Sequence, residues 1–236
     1  MFKSTKGLIF GRAKIFGEET DGSTDQALPP ITLDAGAVQR LQHAKELLTP
    51  LDSLGIDTYP IENAKTVFGQ YDPDLRKHLT RLHLPELSDR LVWIPPHLFK
   101  DIQQVAVGGF ATVYTAGVEI PPQTYRFWDE LLLGDRILLK EVDQTLLQEL
   151  VFSIELSLHV VTARVFGLSQ NTRTGQYLMC MEYARGGNLE QYPQHSDWHT
   201  VFEIANELAE KLYQMHKTFM RGTSFSSVIQ RASRQT

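Results

Sequence analysis

Apolar and polar residues fall into three textures along the 236-residue chain. Residues 17–30, GEETDGSTDQALPP, are polar and rich in chain breakers, the composition of a loop or a disordered stretch. After it, Val38, Leu41, Ala44, Leu47 and Leu48 recur at helical spacing until Pro50 closes the run. A shorter helix is predicted from Asp72 to Leu82, DPDLRKHLTRL, where acids come first and bases later, as the helix dipole favours. No internal repeat is found. From Arg90 the texture changes to short β-rich runs separated by turns.

Gln104 to Val107 and Thr112 to Ala116 flank the pair Gly108-Gly109 as the two arms of a hairpin, and Arg136 to Val142, RILLKEV, reads as a third strand. Leu146 to Leu158 is apolar enough for a buried helix. Ala163 to Leu168 and Tyr177 to Met181 follow as another strand pair, joined by SQNTRTGQ, in which Asn171 and Gly175 supply turn chemistry. The last element is a helix on which Val201, Ile204, Ala205, Leu208, Leu212 and Met215 form one apolar stripe. Thr200 and Glu203 have capping-box spacing at its start. The order β-β-β-α-β-β, then a helix, belongs to the α+β class. The closing stripe needs a surface to pack on.

Composition narrows the partners. The chain is 42% hydrophobic, ordinary for a globular core, and its formal net charge of -5 gives no broad positive field for nucleic acid or an anionic membrane. Protein or small-molecule partners are expected. The single cysteine, Cys180, cannot form an internal disulfide and lies in the apolar run Tyr177 to Met181, where it reads as a buried small hydrophobe in a reducing compartment. The N-terminal residues MFKSTKGLIFGRAKIFGEE are interrupted by Gly, Arg and Lys, unlike a signal peptide, and no run approaches a membrane span. A cytoplasmic protein is expected.

Four stretches carry candidate chemistry. In VAVGGFATVYTAGV, Val105 to Val118, a glycine pair between two strands reads either as a hairpin turn or as a loop whose backbone N–H groups cradle a phosphate. Lys140 ends the apolar run Ile137-Leu138-Leu139. Glu149 follows on the next helix and is favoured over Glu155 as the carboxylate facing Lys140. In YLMCMEYARGGNLEQY, Tyr177 to Tyr192, an apolar strand runs into Met181-Glu182-Tyr183-Ala184 and a glycine pair.

In this order the stretches resemble the protein kinase superfamily, in particular fungal kinases of the tyrosine-kinase-like group, over Trp93 to about His216. Against the kinase pattern G-x-G-x-x-G-x-V the chain has Ala106, Gly108, Ala111 and Val113, so only the central glycine matches. The resemblance implies an N-lobe of five antiparallel strands plus one helix, followed by the hinge and the opening helix of a C-lobe. Residues 1–90 form a separate, partly helical or disordered extension, and 91–236 the kinase-like domain. It also implies ATP as ligand. Val105, Gly108 and Val113 would cover the nucleotide, Lys140 would contact its phosphates and Glu149 would hold Lys140. Met181 would be the gatekeeper, and the backbone of Glu182 and Ala184 would meet the adenine.

The sequence departs from that pattern after His216. A kinase needs a catalytic-loop Asp and Asn and the Asp of D-F-G to hold Mg²⁺. KTFMRGTSFSSVIQRASRQT contains neither residue type, and Arg221-Gly222-Thr223 stands where His-Arg-Asp belongs. No catalytic residues and no Mg²⁺ site are therefore expected, and ATP binding is expected to be weak. A partner-binding lobe of pseudokinase type that needs no nucleotide, or a non-functional product of a disrupted kinase gene, are the alternatives. His195 and His199 have the spacing of metal ligands on one helix face but no third ligand pattern, and read as structural or exposed. Ser224, Ser226 and Ser227 lack the turn that frames a nucleophile. The closing apolar stripe predicts self-association.

Overall fold

The computed structural model describes residues 30–53, 56–107, 111–120, 136–143, 147–159, 161–184 and 197–232, with side chains of the last helix described to Lys217. In chain order the helices are α1 (Ala35–Glu46), α2 (Tyr59–Phe68), α3 (Asp72–Arg81), α4 (Leu147–Leu158) and α5 (Trp198–Ala232). The strands are β1 (Val92–Trp93), β2 (Phe99–Val107), β3 (Thr112–Val118), β4 (Arg136–Glu141), β5 (Val165–Gln170) and β6 (Tyr177–Glu182). The architecture is α+β. Its contacts divide the chain into two units, one of Met1–Thr32, Tyr59–Thr145 and Phe166–Tyr183, the other of Leu33–Thr58, Leu146–Val165 and Ala184–Thr236.

The first unit is built on one sheet of six strands in the order β1-β5-β6-β4-β3-β2. The strands from β6 through β4 and β3 to β2 pair antiparallel, and the β2–β3 pair is the hairpin that the glycine spacing predicts. The expected sheet of five antiparallel strands is corrected at the other edge. There Val92 and Trp93 pair parallel with Gly167 and Leu168, which makes the sheet mixed. A strand of two residues whose partner lies far along the chain leaves no periodic signal. Gly167 allows the close approach, because a Cβ there would stand 2.9 Å from the Val92 carbonyl oxygen. The β5–β6 connection is the expected turn: Asn171 Oδ1 accepts from the N–H groups of Arg173 and Thr174 at 3.1 and 3.3 Å, and Gly175 has φ +71°.

One face of this sheet is the core. Tyr114, Ala116 and Val118 of β3, Ile137 and Leu139 of β4, and Leu178 and Cys180 of β6 alternate onto it and pack with Phe166 and with Ala64, Val67 and Phe68 of α2. α2 escaped the sequence reading, because Pro60 and Asn63 interrupt its pattern, yet it buries Ile61, Ala64, Val67 and Phe68. α3 matches its predicted span to within a residue and buries Leu75 and Leu79. Residues 59–90 thus belong to the same unit as the sheet, and the contacts do not divide the chain at residue 90.

In the second unit α1 starts at Asp34, whose Oδ1 accepts from the Ala37 N–H at 2.7 Å, and it packs against α4. α4 buries Leu147, Leu150, Val151, Ile154 and Leu158. α5 starts two residues before the expected cap. Asp197 Oδ1 accepts from both the N–H and the hydroxyl of Thr200, at 2.8 and 2.7 Å, so Asp197 and not Thr200 caps the helix. Those bonds hold the Asp197 carboxyl below its ordinary pKa.

Candidate nucleotide site

Directly paired residues of an antiparallel ladder point to the same face of the sheet. Val113 pairs with Lys140, Lys140 with Met179, Leu138 with Met181, and Thr115 with Leu138. These residues share the face opposite the core. Val113, Leu138, Lys140 and Met181 are half-buried there, while Thr115 and Met179 are buried. Arg136 braces the far end of the row, its Nη2 donating to the Thr115 hydroxyl at 2.7 Å and to the Asp101 carbonyl at 2.8 Å. Three of the residues singled out from sequence are therefore brought to one face by register: Val113 beside Lys140, and Met181 beside Leu138. Glu182 follows Met181 but pairs with Ile137, on the other parity.

Val105 behaves differently. Gln104 pairs with Tyr114 and Ala106 with Val113, so Val105 is the extra residue of a bulge on the edge strand, 39% exposed. Gly108 lies outside the described residues, as does His195. Glu149 is half-buried in the first turn of α4, and Ala184 is exposed; both belong to the second unit. Glu155, the less favoured carboxylate, is 3% exposed and committed within that unit. Its Oε1 accepts from the Thr49 N–H at 3.2 Å and from the Thr49 hydroxyl, and lies 3.1 Å from His159 Nε2.

Two arrangements escaped the sequence reading. Glu141, the residue after Lys140, clamps the start of β3: its Oε2 accepts from the Thr112 N–H at 3.1 Å and its Oε1 from the Tyr114 hydroxyl at 3.2 Å. Burial first, and the Glu141 carboxylate second, raise the Tyr114 pKa. The other is a cluster on α3. The His78 ring stacks on Trp93 at 3.9 Å, and its Nδ1 shares a hydrogen bond of 2.9 Å with the hydroxyl of the fully buried Tyr177. The Arg81 guanidinium lies 5.8 Å from the centre of the Tyr177 ring. Burial, then the charges of Lys77 and Arg81, push the His78 pKa down to about 4, so its imidazole is neutral. The histidine position one turn from Leu75 and Leu82 was the available signal.

Among the described residues no group of three or more His, Cys, Asp or Glu side chains could hold a metal ion. His199 Nδ1 lies 3.4 Å from Glu203 on an exposed face. Burial pushes the Cys180 thiol pKa up, which removes it as a nucleophile. Among the same residues no helix is long and apolar enough to cross a membrane.

No protein-family model matches the chain, and a search of curated proteins finds no match either.

Proposed function

We propose that the chain is a nucleotide-binding module built like the small lobe of a protein kinase, and that it binds ATP weakly without transferring phosphate. The observation that carries this reading is the register that aligns Val113, Leu138, Lys140 and Met181 on one sheet face. Such a row offers an apolar floor to a purine and a cation to the phosphates, the division of labour a nucleotide requires. By the resemblance, the backbone of Glu182 at the end of β6 would meet the adenine. Arg221-Gly222-Thr223 stands where the kinase pattern has His-Arg-Asp, so the reading assigns these residues no Mg²⁺ ligand and no phosphoryl transfer.

A second reading, a lobe that binds a protein partner and needs no nucleotide, is favoured by the exposed Val105 and Val107 on the edge strand. Titration calorimetry with ATP, ADP and adenosine separates the two. Under the nucleotide reading all three bind with little dependence on Mg²⁺, and Lys140→Met weakens ATP and ADP more than adenosine. Absence of binding by all three refutes it in favour of the second reading. Tightening by Mg²⁺ of more than about tenfold, roughly 1.4 kcal/mol, refutes the metal-free form.

A further inference from the structure

Helix α3 ends in two cations for which the described residues hold no counterion. Lys77 and Arg81 stand four residues apart, one turn above the other on one helix face, where like charges repel. Both are half-buried. Among the described residues neither forms an ion pair, and neither does Asp74, the carboxylate one turn before Lys77. Capping does not explain them. The last four carbonyls of α3 are all taken by backbone N–H groups: His78 accepts from Leu82 at 3.0 Å, Leu79 from Leu84 at 2.9 Å, Thr80 from His83 at 3.1 Å and Arg81 from Ile31 at 3.0 Å.

The Arg81 fork is used on one side only. Its Nη1 donates to the Tyr177 hydroxyl at 3.5 Å, and that hydroxyl passes its own hydrogen to His78 Nδ1 at 2.9 Å. Its Nε–H is shut away from water and meets no acceptor. A buried donor of a charged group left in that state is costly, and an oxygen acceptor removes the cost. Nε and Nη2 form the edge of a guanidinium that holds two oxygens of one oxyanion, and Lys77 adds a second positive charge one turn away. The two charges act on one place, since both press on the His78 imidazole between them. Two cations and a forked donor match a tetrahedral dianion. We infer that the Lys77–Arg81 turn of α3 is an oxyanion site that takes a phosphate, free or as the terminal group of a small monoester, with Arg81 as the fork and Lys77 as the second charge.

Titration calorimetry of the full chain with inorganic phosphate tests the site, at about pH 7.5, where phosphate is largely dianionic, and with chloride holding the ionic strength. One phosphate binds per chain, and methyl phosphate binds as well if the site takes an ester. Arg81→Gln weakens binding by more than about tenfold. Lys77→Gln, at a position outside the core, weakens it several-fold with the far-UV circular dichroism kept. Lys140→Met leaves it unchanged, which separates this site from the sheet face proposed for nucleotide. Bound phosphate also raises the His78 pKa from about 4, followed by the NMR shifts of its ring, a response that a purely structural Arg81 does not give. No heat beyond that of chloride overturns the inference, as does binding indifferent to both Arg81→Gln and Lys77→Gln, or binding abolished by Lys140→Met. Phosphate that binds only once Glu18, Glu19, Asp21 and Asp25 are changed to their amides makes the chain's own carboxylates the occupant and overturns it too.

Discussion

Phe68→Ala tests whether the segment before residue 90 is part of the sheet unit. Phe68 closes α2, is 1% exposed, and packs in the cluster that contains Ile137, Leu139, Phe166 and Leu178 of the sheet. Truncation removes most of an aromatic side chain from a close-packed site and leaves a cavity that the sheet fills only in part. That costs about 3–5 kcal/mol, a large share of the stability of a unit this size. Trp93 provides the readout, being 5% exposed on β1 and stacked on His78. In a background with Trp128→Phe and Trp198→Phe, urea unfolding followed by Trp93 fluorescence reports the sheet alone. With a slope of about 1–3 kcal/mol per molar urea, the midpoint moves down by more than about 1 M. The Trp93 and far-UV transitions move together if α2 and the sheet unfold as one. An unchanged Trp93 midpoint with early loss of helical signal would refute the packing argument and restore the segment as a separate extension.

Gly167→Ala introduces a Cβ 2.9 Å from the backbone oxygen of Val92, which no rotamer relieves. The β1–β5 pair must open, so a loss of about 1–3 kcal/mol and greater exposure of Trp93 to quencher are expected; a neutral substitution refutes the close approach. His78 gives a pH dependence whose sign follows from its depressed pKa. The unfolded chain binds a proton near the ordinary histidine pKa of 6.5, and the folded chain only near 4. The stabilisation is therefore full above about pH 6.5 and is lost as pH falls toward 4, on the order of 1–3 kcal/mol. Stability of the wild type and of His78→Phe, compared across that window, should converge at low pH. A parallel pH profile of the two refutes the assignment.

How far the sequence was legible depended on the range of the information. The hairpin arms, the strand that carries Lys140, the Asn171–Gly175 turn and the spans of α1, α3 and α4 were readable because each is encoded by its own residues. What was missed is encoded by residues far apart. β1 is two residues long and has meaning only against Gly167 and Leu168. α2 is recognisable once the sheet face it covers is known, since its Pro60 and Asn63 blur the period. The capping shift from Thr200 to Asp197 shows the local rule at its limit, because two capping residues three apart compete and spacing alone does not choose. For the candidate site, the sequence supplied Val113, Lys140 and Met181, and only the register could tell which shared a face.

That register is fixed by the core and not by the site. Ile137 and Leu139 are fully buried on one side of β4, whereas Leu138 and Lys140 alternate to the other. A slip by one residue exchanges the two faces, driving Lys140 among Phe68, Phe166 and Leu178 and exposing Ile137 and Leu139. Burying each of those side chains is worth about 1.5–3 kcal/mol, and an unpaired ammonium in their place costs more than that. The preference for the observed register therefore exceeds what any weak ligand could contribute through Lys140. The row of Val113, Leu138, Lys140 and Met181 is preorganised by apolar packing on the opposite face. A variant that removes the cation, such as Lys140→Met, consequently changes the face offered to a ligand while leaving the determinants of the fold in place. This is why its effect on ATP relative to adenosine is interpretable as chemistry of the site.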